Sequence, residues 1–376
     1  MGLLAFKAIW GDRSKLITVL VGVAFAMVLI NLQAGLLLGL LRKASILVDH
    51  GNADIWVGHQ HMDNADIGGF IPERWVERLR GISEVERADA YIVMFGRATL
   101  PNGRVEMVAI VGCDPASLTG NAWSMAQGDA RAIRGPNAVL VDALDVRKLG
   151  NVRVGDTIEI NGRRAKIAGL TDGIVGFTTN PFVFTTLERA RRDYTVGIPV
   201  GYCSYFLVKA KPGTDVDALC RKIRERVPEL DVYSRDRFGM SCMKYWLTRT
   251  GIGMSFGLAA LLGLLVGVAV VAQTLYGSVT ERLREFATLK ALGASEGSLL
   301  YFLMAQASGL AITGAVLGLL SSWLLACLLS TPRAAIILTW EAAAASTLIV
   351  VGVCLLAAWL PYRRLRAVDP ASILRS

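Results

Sequence analysis

The stretch Leu16–Leu41, LITVLVGVAFAMVLINLQAGLLLGLL, runs for 26 residues without a charge and is closed by Arg42 and Lys43. As a helix it would be about 39 Å long at 1.5 Å per residue, enough to cross a hydrocarbon core of about 30 Å. It is far longer than the roughly 7–15-residue apolar core of a signal peptide, so a retained span is expected rather than a cleaved leader. Three more charge-free runs follow: Ile252–Gly277 with 26 residues, Leu299–Leu329 with 31, and Ala342–Leu360 with 19. Each is long enough to span a bilayer. The 376-residue chain is 53% hydrophobic before its 38 glycines are counted, with a mean hydropathy of +0.46. Charged residues make up 19%, against about a quarter in soluble chains. These figures speak against a wholly soluble enzyme and exclude a disordered or collagen-like chain.

The net charge is +9, and its distribution predicts orientation. Lys7, Arg13 and Lys15 precede the first run; Arg282, Arg284 and Lys290 lie between the second and third; Arg363, Arg364, Arg366 and Arg375 end the chain. The short 330–341 loop has only Arg333. Short loops rich in Lys and Arg stay in the cytoplasm, which places both termini and the 278–298 loop inside and residues 42–251 outside. The outer segment carries 29 basic and 25 acidic residues, and this balance gives no nucleic-acid signal.

Within the outer segment, strand and helix signals alternate. Asp54–His59 reads as a strand, and Pro72–Val76 opens a short helix that Gly81 stops. Val85–Leu100 and Val105–Cys113 flank Pro101-Asn102-Gly103, a hairpin turn. Tyr205–Lys209 precedes a helix starting near Thr214, where Val216, Leu219, Cys220, Ile223 and Val227 form an apolar stripe. Asp231–Tyr233 then completes a split α+β order. Between the halves, residues 116–199 read as a β-rich insertion, with a hairpin of Thr157–Ile160 and Arg163–Leu170 about Asn161-Gly162. The amphipathic stretch Phe238–Trp246 runs almost directly into the second span, without a Gly/Ser linker.

The predicted fold class is thus a membrane α-helical protein of four spans with a large exterior α+β domain. Its parts are a cytoplasmic segment and first span over 1–43, and the exterior domain over 44–248. The second span and its stalk cover 249–278, a cytoplasmic loop 279–298, the remaining spans 299–329 and 342–360, and a cytoplasmic tail 361–376.

Catalytic signatures are missing from the sequence. It has no P-loop, H-E-x-x-H, G-x-S-x-G or paired C-x-x-C, so no catalytic site is assigned. His59-Gln60-His61 would share one face of a strand, but two ligands do not make a metal site, and none is expected. Cys113, Cys203, Cys220 and Cys242 are irregularly spaced exterior residues, read as buried thiols ahead of disulfides. Gly253/Gly257 and Gly263/Gly267 form G-x-x-x-G pairs in the second span, and Gly314/Gly318 one in the third. Such pairs let helix backbones approach closely, within the chain or across a dimer. Asn31, Gln33, Gln273 and Gln306 are polar at membrane depth and read first as interhelical hydrogen-bonding groups and second as substrate contacts.

The loop Ser278–Ser295 is the most informative cytoplasmic segment. Ser278-Val279-Thr280-Glu281 has capping-box spacing, which predicts a helix start. Leu283, Phe286, Leu289 and Leu292 then recur every third residue, while Glu281, Arg282, Arg284, Glu285 and Lys290 take the other faces; Gly293 is placed to stop the helix. Such a helix either anchors at the interface or fits a groove on a cytoplasmic motor.

One span, an exterior domain of about 200 residues and then three spans resemble the plan of the MacB/FtsX-like ABC transporter permeases, the type VII ABC fold. The run Arg284-Glu285-Phe286-Ala287-Thr288-Leu289-Lys290-Ala291-Leu292-Gly293-Ala294 resembles that family's cytoplasmic motif. It is most similar to the DevC branch, as is the tail Arg366-Ala367-Val368-Asp369-Pro370-Ala371-Ser372-Ile373-Leu374. The resemblance implies a homodimer bound to two copies of a separate MacB-type ATPase. ATP and Mg would be held by that subunit, leaving this chain without a cofactor and without enzymatic activity of its own. Glu281, Arg282, Leu283, Arg284, Glu285, Phe286, Leu289, Lys290 and Gly293 would then couple to the ATPase.

The resemblance further implies the bacterial inner membrane, membrane-lipid contact and a porter-like exterior domain in the periplasm that moves with ATP turnover. Expected partners are an HlyD-like membrane-fusion protein and a TolC-type outer-membrane channel, with a lipid-like or small amphipathic substrate exported. The family leaves open a lipoprotein or lipid extractor of LolC/LolE type, a haem exporter of HrtB type, and an FtsX-like regulator of cell-wall hydrolases.

Overall fold

The computed structural model describes residues 13–100, 102–281, 288, 295–359, 362 and 363. In chain order the helices are α1 (Arg13–Ala44), α2 (Ile46–His50), α3 (Val76–Arg80), α4 (Val216–Arg226) and α5 (Arg235–Arg249), then α6 (Ile252–Glu281), α7 (Glu296–Leu329) and α8 (Trp340–Ala357). The strands are β1 (Ile55–His59), β2 (Ile71–Pro72), β3 (Val85–Thr99), β4 (Val105–Cys113), β5 (Met125–Gln127) and β6 (Ala138–Asp142). They continue as β7 (Thr157–Ile160), β8 (Arg163–Thr171), β9 (Phe182–Thr186), β10 (Tyr202–Cys203), β11 (Tyr205–Ala210) and β12 (Leu230–Ser234). The chain divides into two units, one of residues 1–39 and 252–376, the other of residues 40–251.

The first unit holds α6, α7, α8 and most of α1, four helices long and apolar enough to cross a membrane. Its core joins Val19, Val23 and Met27 of α1 to Val271 of α6, to Ala307, Leu310, Ala311 and Ala315 of α7, and to Val350 and Cys354 of α8. Ser295 opens α7, its hydroxyl accepting from the Ser298 backbone N–H at 3.2 Å. Thr339 opens α8 in the same way toward Ala342. One expectation fails here. Ser278-Val279-Thr280-Glu281 does not start a helix but forms the last turn of α6. A capping residue must leave helical backbone to accept from the following amides, whereas Ser278 lies within the helix itself.

The second unit is an α+β domain. Strand order β12-β1-β11-β3 forms its first sheet, antiparallel throughout. Ile55 and Val57 of β1 join Leu219, Cys220 and Ile223 of α4 and Leu79 of α3 in one core. Trp56, between them, meets Tyr91, Tyr205 and Phe238 at ring distances of 5.5–5.6 Å. Successive strand residues point to opposite faces, so β1 is apolar on both faces because both are covered. Asp215 caps α4, accepting from the Asp217 and Ala218 amides.

The insertion is not a free-standing unit. The second half of β3 pairs with β4, β4 with β9, β9 with β6, β6 with β8, β8 with β7, and β7 with β3 again. These six strands close on themselves, so the 116–199 segment completes a barrel that β3 and β4 begin. Closure removes the unpaired edges an open sheet would present. The fifteen-residue β3 is the shared element, paired with β11 over Val85–Tyr91 and with β4 over Ile92–Thr99. Asn161 and Gly162 turn β7 into β8 at φ 47° and 79°, the left-handed pair that a two-residue hairpin requires.

The connection to the second span is as short as its sequence predicts. Helix α5 ends at Arg249, and Thr250 with Gly251 separate it from α6; Gly251 lies at φ 72°. An L-residue side chain is strained in that backbone conformation.

Candidate functional site

The glycines of the spans act mainly within one chain. Built at Gly263, a Cβ would lie 2.9 Å from Leu29 atoms, and at Gly267 2.5 Å from the Ala26 Cβ, so this pair seats α6 on α1. Gly22 of α1 returns the contact toward Val270. On α7, Gly314 abuts Val23 at 2.7 Å, and Gly318 abuts Met27 and Ala24. Helix α1 is therefore gripped through glycines by both α6 and α7, a backbone approach driven by packing where the hydrophobic effect is weak. Gly257, by contrast, has nothing within 4 Å of a built Cβ.

Asn31 is the polar group that membrane depth makes conspicuous. It is 1% exposed. Its Nδ2 donates to the Met27 carbonyl at 2.9 Å, and its Oδ1 accepts from Ser346 Oγ of α8 at 3.1 Å. Gln306 is buried on α7, whereas Gln273 is exposed on α6.

Of the residues assigned to ATPase coupling, Glu281 is the exposed last residue of α6. Arg282, Leu283, Arg284, Glu285, Phe286, Leu289, Lys290 and Gly293 lie outside the described residues. The ends that frame them are packed together: Val279 of α6 joins Leu299 and Leu303 of α7 in a small buried cluster, with Phe302 and Tyr362 against it.

In the exterior unit, the barrel wall β4–β3–β7–β8 turns Val105, Met107, Arg97, Thr157, Glu159, Arg164 and Lys166 outward, while Ala98, Val108, Ile158, Ile160, Ala165 and Ile167 fill the interior. Glu159 stands opposite Arg164, and Arg97 opposite Met107. Val105 is 58% and Met107 50% exposed. A separate cleft of about 510 Å³ lies among Pro72, Arg74, Val76, Leu187, Val200 and Tyr202. The Arg191 guanidinium donates to Glu73 at 2.5 Å beside it.

His59 ends β1, and His61 follows in left-handed backbone at φ 63°. The strand alternation that would aim both rings one way therefore stops before His61. Burial lowers the His59 pKa despite the opposing carboxylates of Asp231 and Asp63. Among the described residues there is no group of three metal-ligating side chains. Cys113, Cys203, Cys220 and Cys242 are buried free thiols, their pKa values pushed up by burial to about 12, 12, 11 and 12.

Four spanning helices, one before and three after an α+β exterior domain, define a multi-pass membrane protein of the permease type. Residues 16–226 match the MacB-like periplasmic core domain, and residues 257–370 match the FtsX-like permease C-terminal family. The chain belongs to the MacB/FtsX-like ABC transporter permeases, a family whose members work with an ATPase.

An uncharacterised ABC transporter permease of Mycobacterium tuberculosis is 26% identical over 334 residues, covering 84% of this chain and 83% of the relative. Another, of Mycobacterium bovis, is 24% identical over 364 residues, covering 96% and 95%. Among solved structures, the periplasmic region of MacB from Actinobacillus actinomycetemcomitans aligns with a TM-score of 0.39 at 11% identity, over 51% of this chain and 92% of that one. The extracellular domain of the transporter YknZ from Gram-positive bacteria gives 0.36 at 12%, over 48% and 98%.

Proposed function

We propose that this chain is the permease of a dimeric ABC exporter in the bacterial inner membrane, with its exterior domain in the periplasm. A separate ATPase would bind the segment 281–293 and transmit its closure through α6. The observation that carries this reading is the framing of that segment. Helix α6 continues beyond its apolar run to Glu281, and Val279 is packed with Leu299 and Leu303 just before and after the segment. A push on a segment held between packed ends reaches the spans, whereas one between free ends would be absorbed.

The exterior domain supplies the binding surface. Its barrel wall mixes two exposed apolar side chains with Arg97, Arg164 and Lys166, the makeup of an interface patch with a charged rim. A membrane-fusion protein of the HlyD type leading to a TolC-type channel is the partner we assign to it. The cargo is lipid-like or a small amphipathic molecule, on the strength of the DevC-like motif alone.

Phe286→Ala tests the coupling. Loss of an aromatic anchor typically costs about 2 kcal/mol or more of binding, so ATPase copurification should fall or its turnover uncouple while the permease stays folded. Unchanged copurification and unchanged turnover would reduce the segment to an interfacial anchor.

A further inference from the structure

Helix α5 places Phe238, Cys242 and Trp246 at four-residue spacing, which stacks them along one face. Phe238 meets Trp56 of β1, Cys242 is fully buried, and Trp246 faces Asp66. Asp66 belongs to the loop between β1 and β2, and is 6% exposed. Its backbone N–H donates to Asn64 Oδ1 at 2.9 Å. Its Oδ2, the indole Nε1 of Trp246 and the Asn64 Nδ2 are all buried without a completed hydrogen bond.

The other side of the Trp246 ring is covered from the barrel. Phe177, in the loop between β8 and β9, stacks on it at 3.9 Å with 25° between the planes. That loop is held firmly at its root. Buried Asp142 accepts from Thr171 Oγ1 and from the Ile174 N–H, both at 2.7 Å, and from the Leu144 N–H at 3.0 Å. Lys148 Nζ donates to the Thr179 carbonyl. A loop so anchored presents Phe177 as a fixed wall, and Trp246 stands between this wall and the buried carboxyl.

We propose that Asp66, Trp246 and Phe177 form a clasp, opened by ionisation of Asp66, that fastens the barrel's β8–β9 loop to helix α5. The clasp rests on the exterior domain's own geometry. Its consequence, that exterior proton concentration sets how firmly the barrel follows α5, rests on the transmission reading above.

The electrostatics favour a neutral carboxyl. Burial raises the Asp66 pKa to about 7, opposed only by the Trp246 N–H. The titratable groups that feel it are Cys242 of α5 and Tyr205 of β11, both themselves pushed up by burial and uncharged at neutral pH. On its own loop, Asp63 lies toward Arg249 of α5 at 4.0 Å, and His59 is held toward its neutral form by burial. The closed clasp therefore keeps its proton to about pH 7, whereas an opened one releases it near the ordinary carboxylate value of about 4. Between those limits the open form gains about tenfold per pH unit, and above the upper one the gain stops. The clasp is tight in acid and loosens as pH rises to neutrality.

Hydrogen exchange on the full chain in lipid nanodiscs, corrected for the intrinsic exchange rate, reads this directly at residues 174–180 and 242–250. Protection of both segments should fall together, by about fiftyfold between pH 5 and 7, and then level off. Asp66→Asn should hold both segments protected and flat across that range. Trp246→Phe keeps an aromatic surface for Phe177 but removes the N–H that lowers the carboxyl's pKa, so its levelling point should move to higher pH. Phe177→Leu should cost both segments protection at pH 5.

A flat wild-type profile, an Asp66→Asn profile like the wild type's, an unmoved levelling point in Trp246→Phe, or a Phe177→Leu effect confined to 174–180 would each overturn the clasp. The readout needs neither ATPase nor cargo, so its failure leaves the permease reading standing. Loss of the ATPase interaction would leave the clasp untouched.

Discussion

Single side chains bear unequal loads in this molecule, and Asn31 and Trp56 show the two extremes. Asn31 spends one hydrogen bond on its own helix and one on Ser346, and Ser346 keeps a second acceptor in the Ala343 carbonyl at 3.0 Å. Truncating Asn31 therefore leaves Ser346 bonded, whereas truncating Ser346 leaves the buried Asn31 Oδ1 without this donor. Asn31→Ala and Ser346→Ala should each lower stability modestly, with a double-mutant coupling of about 0.6 kcal/mol, the average for such pairs in lipid. Denaturation in mixed detergent micelles measures it, and a coupling near zero would remove the α1–α8 link. Trp56, buried among Tyr91, Tyr205 and Phe238, has no such reserve; Trp56→Ala should cost the exterior domain about 3–5 kcal/mol. Asn31 was legible in the sequence because an amide in an apolar run must find a partner. That partner stands 315 positions away, and no local pattern names it. Asp66 gave no signal at all. It occupies an ordinary polar loop, Asp63-Asn64-Ala65-Asp66, and only Trp246, arriving from α5, makes its burial consequential.

Elements were readable to the extent that one segment's composition determines its fate. Charge-free runs of sufficient length have to be spans, and the observed helices shift their edges by only a few residues because polar ends such as Glu296 and Glu281 extend α7 and α6. The capping-box pattern at Ser278 failed for a related reason: a motif for starting a helix carries no information about whether the preceding turn is already helical. The glycine pairs were ambiguous between chain and dimer, and packing separates them. Gly267→Val and Gly314→Val would drive side chains into Ala26 and Val23, and overpacking of this kind typically costs about 1–3 kcal/mol. Gly257→Val meets open space within the protomer. It should leave thermal stability unchanged and lower the dimer fraction seen by crosslinking if that helix face joins two copies; an unaltered dimer fraction would move the contact elsewhere. The barrel was half legible. Its hairpins announce themselves through Asn-Gly turns, but closure depends on the parallel pairing of β4 with β9 and β6 with β8 and on β3 serving two sheets, all non-local.

The whole molecule is best tested for orientation first and then for its outer surface. Asn102, at the exposed β3–β4 turn, should accept a cysteine that reacts with a membrane-impermeant thiol reagent in intact spheroplasts, while a cysteine at Glu296 should not react. Native Cys113 need not be removed, being fully buried with its pKa pushed up to about 12. The reverse labelling pattern would invert every assignment of inside and outside. For partner docking, deleting residues 118–196 is a poor probe, because it takes away β6, β7, β8 and β9 and leaves β3 and β4 as the remnant of an open barrel. Exposed apolar edges of that kind invite aggregation, and lost binding would then say nothing about the surface itself. Reversing charge on the wall avoids this. Arg97, Arg164 and Lys166 are exposed and stand on strands whose inward residues stay untouched, so Arg97→Glu, Arg164→Glu and Lys166→Glu together should leave the fold and ATPase binding intact. Surface substitutions of this sort usually change stability by no more than about 0.5 kcal/mol. If the wall receives a fusion protein, the triple variant should slow that association most strongly at low salt, since rim charges act chiefly on the encounter rate. Association kinetics on the purified complex in nanodiscs decide it, and an unchanged rate at low salt would take the docking surface off the barrel wall.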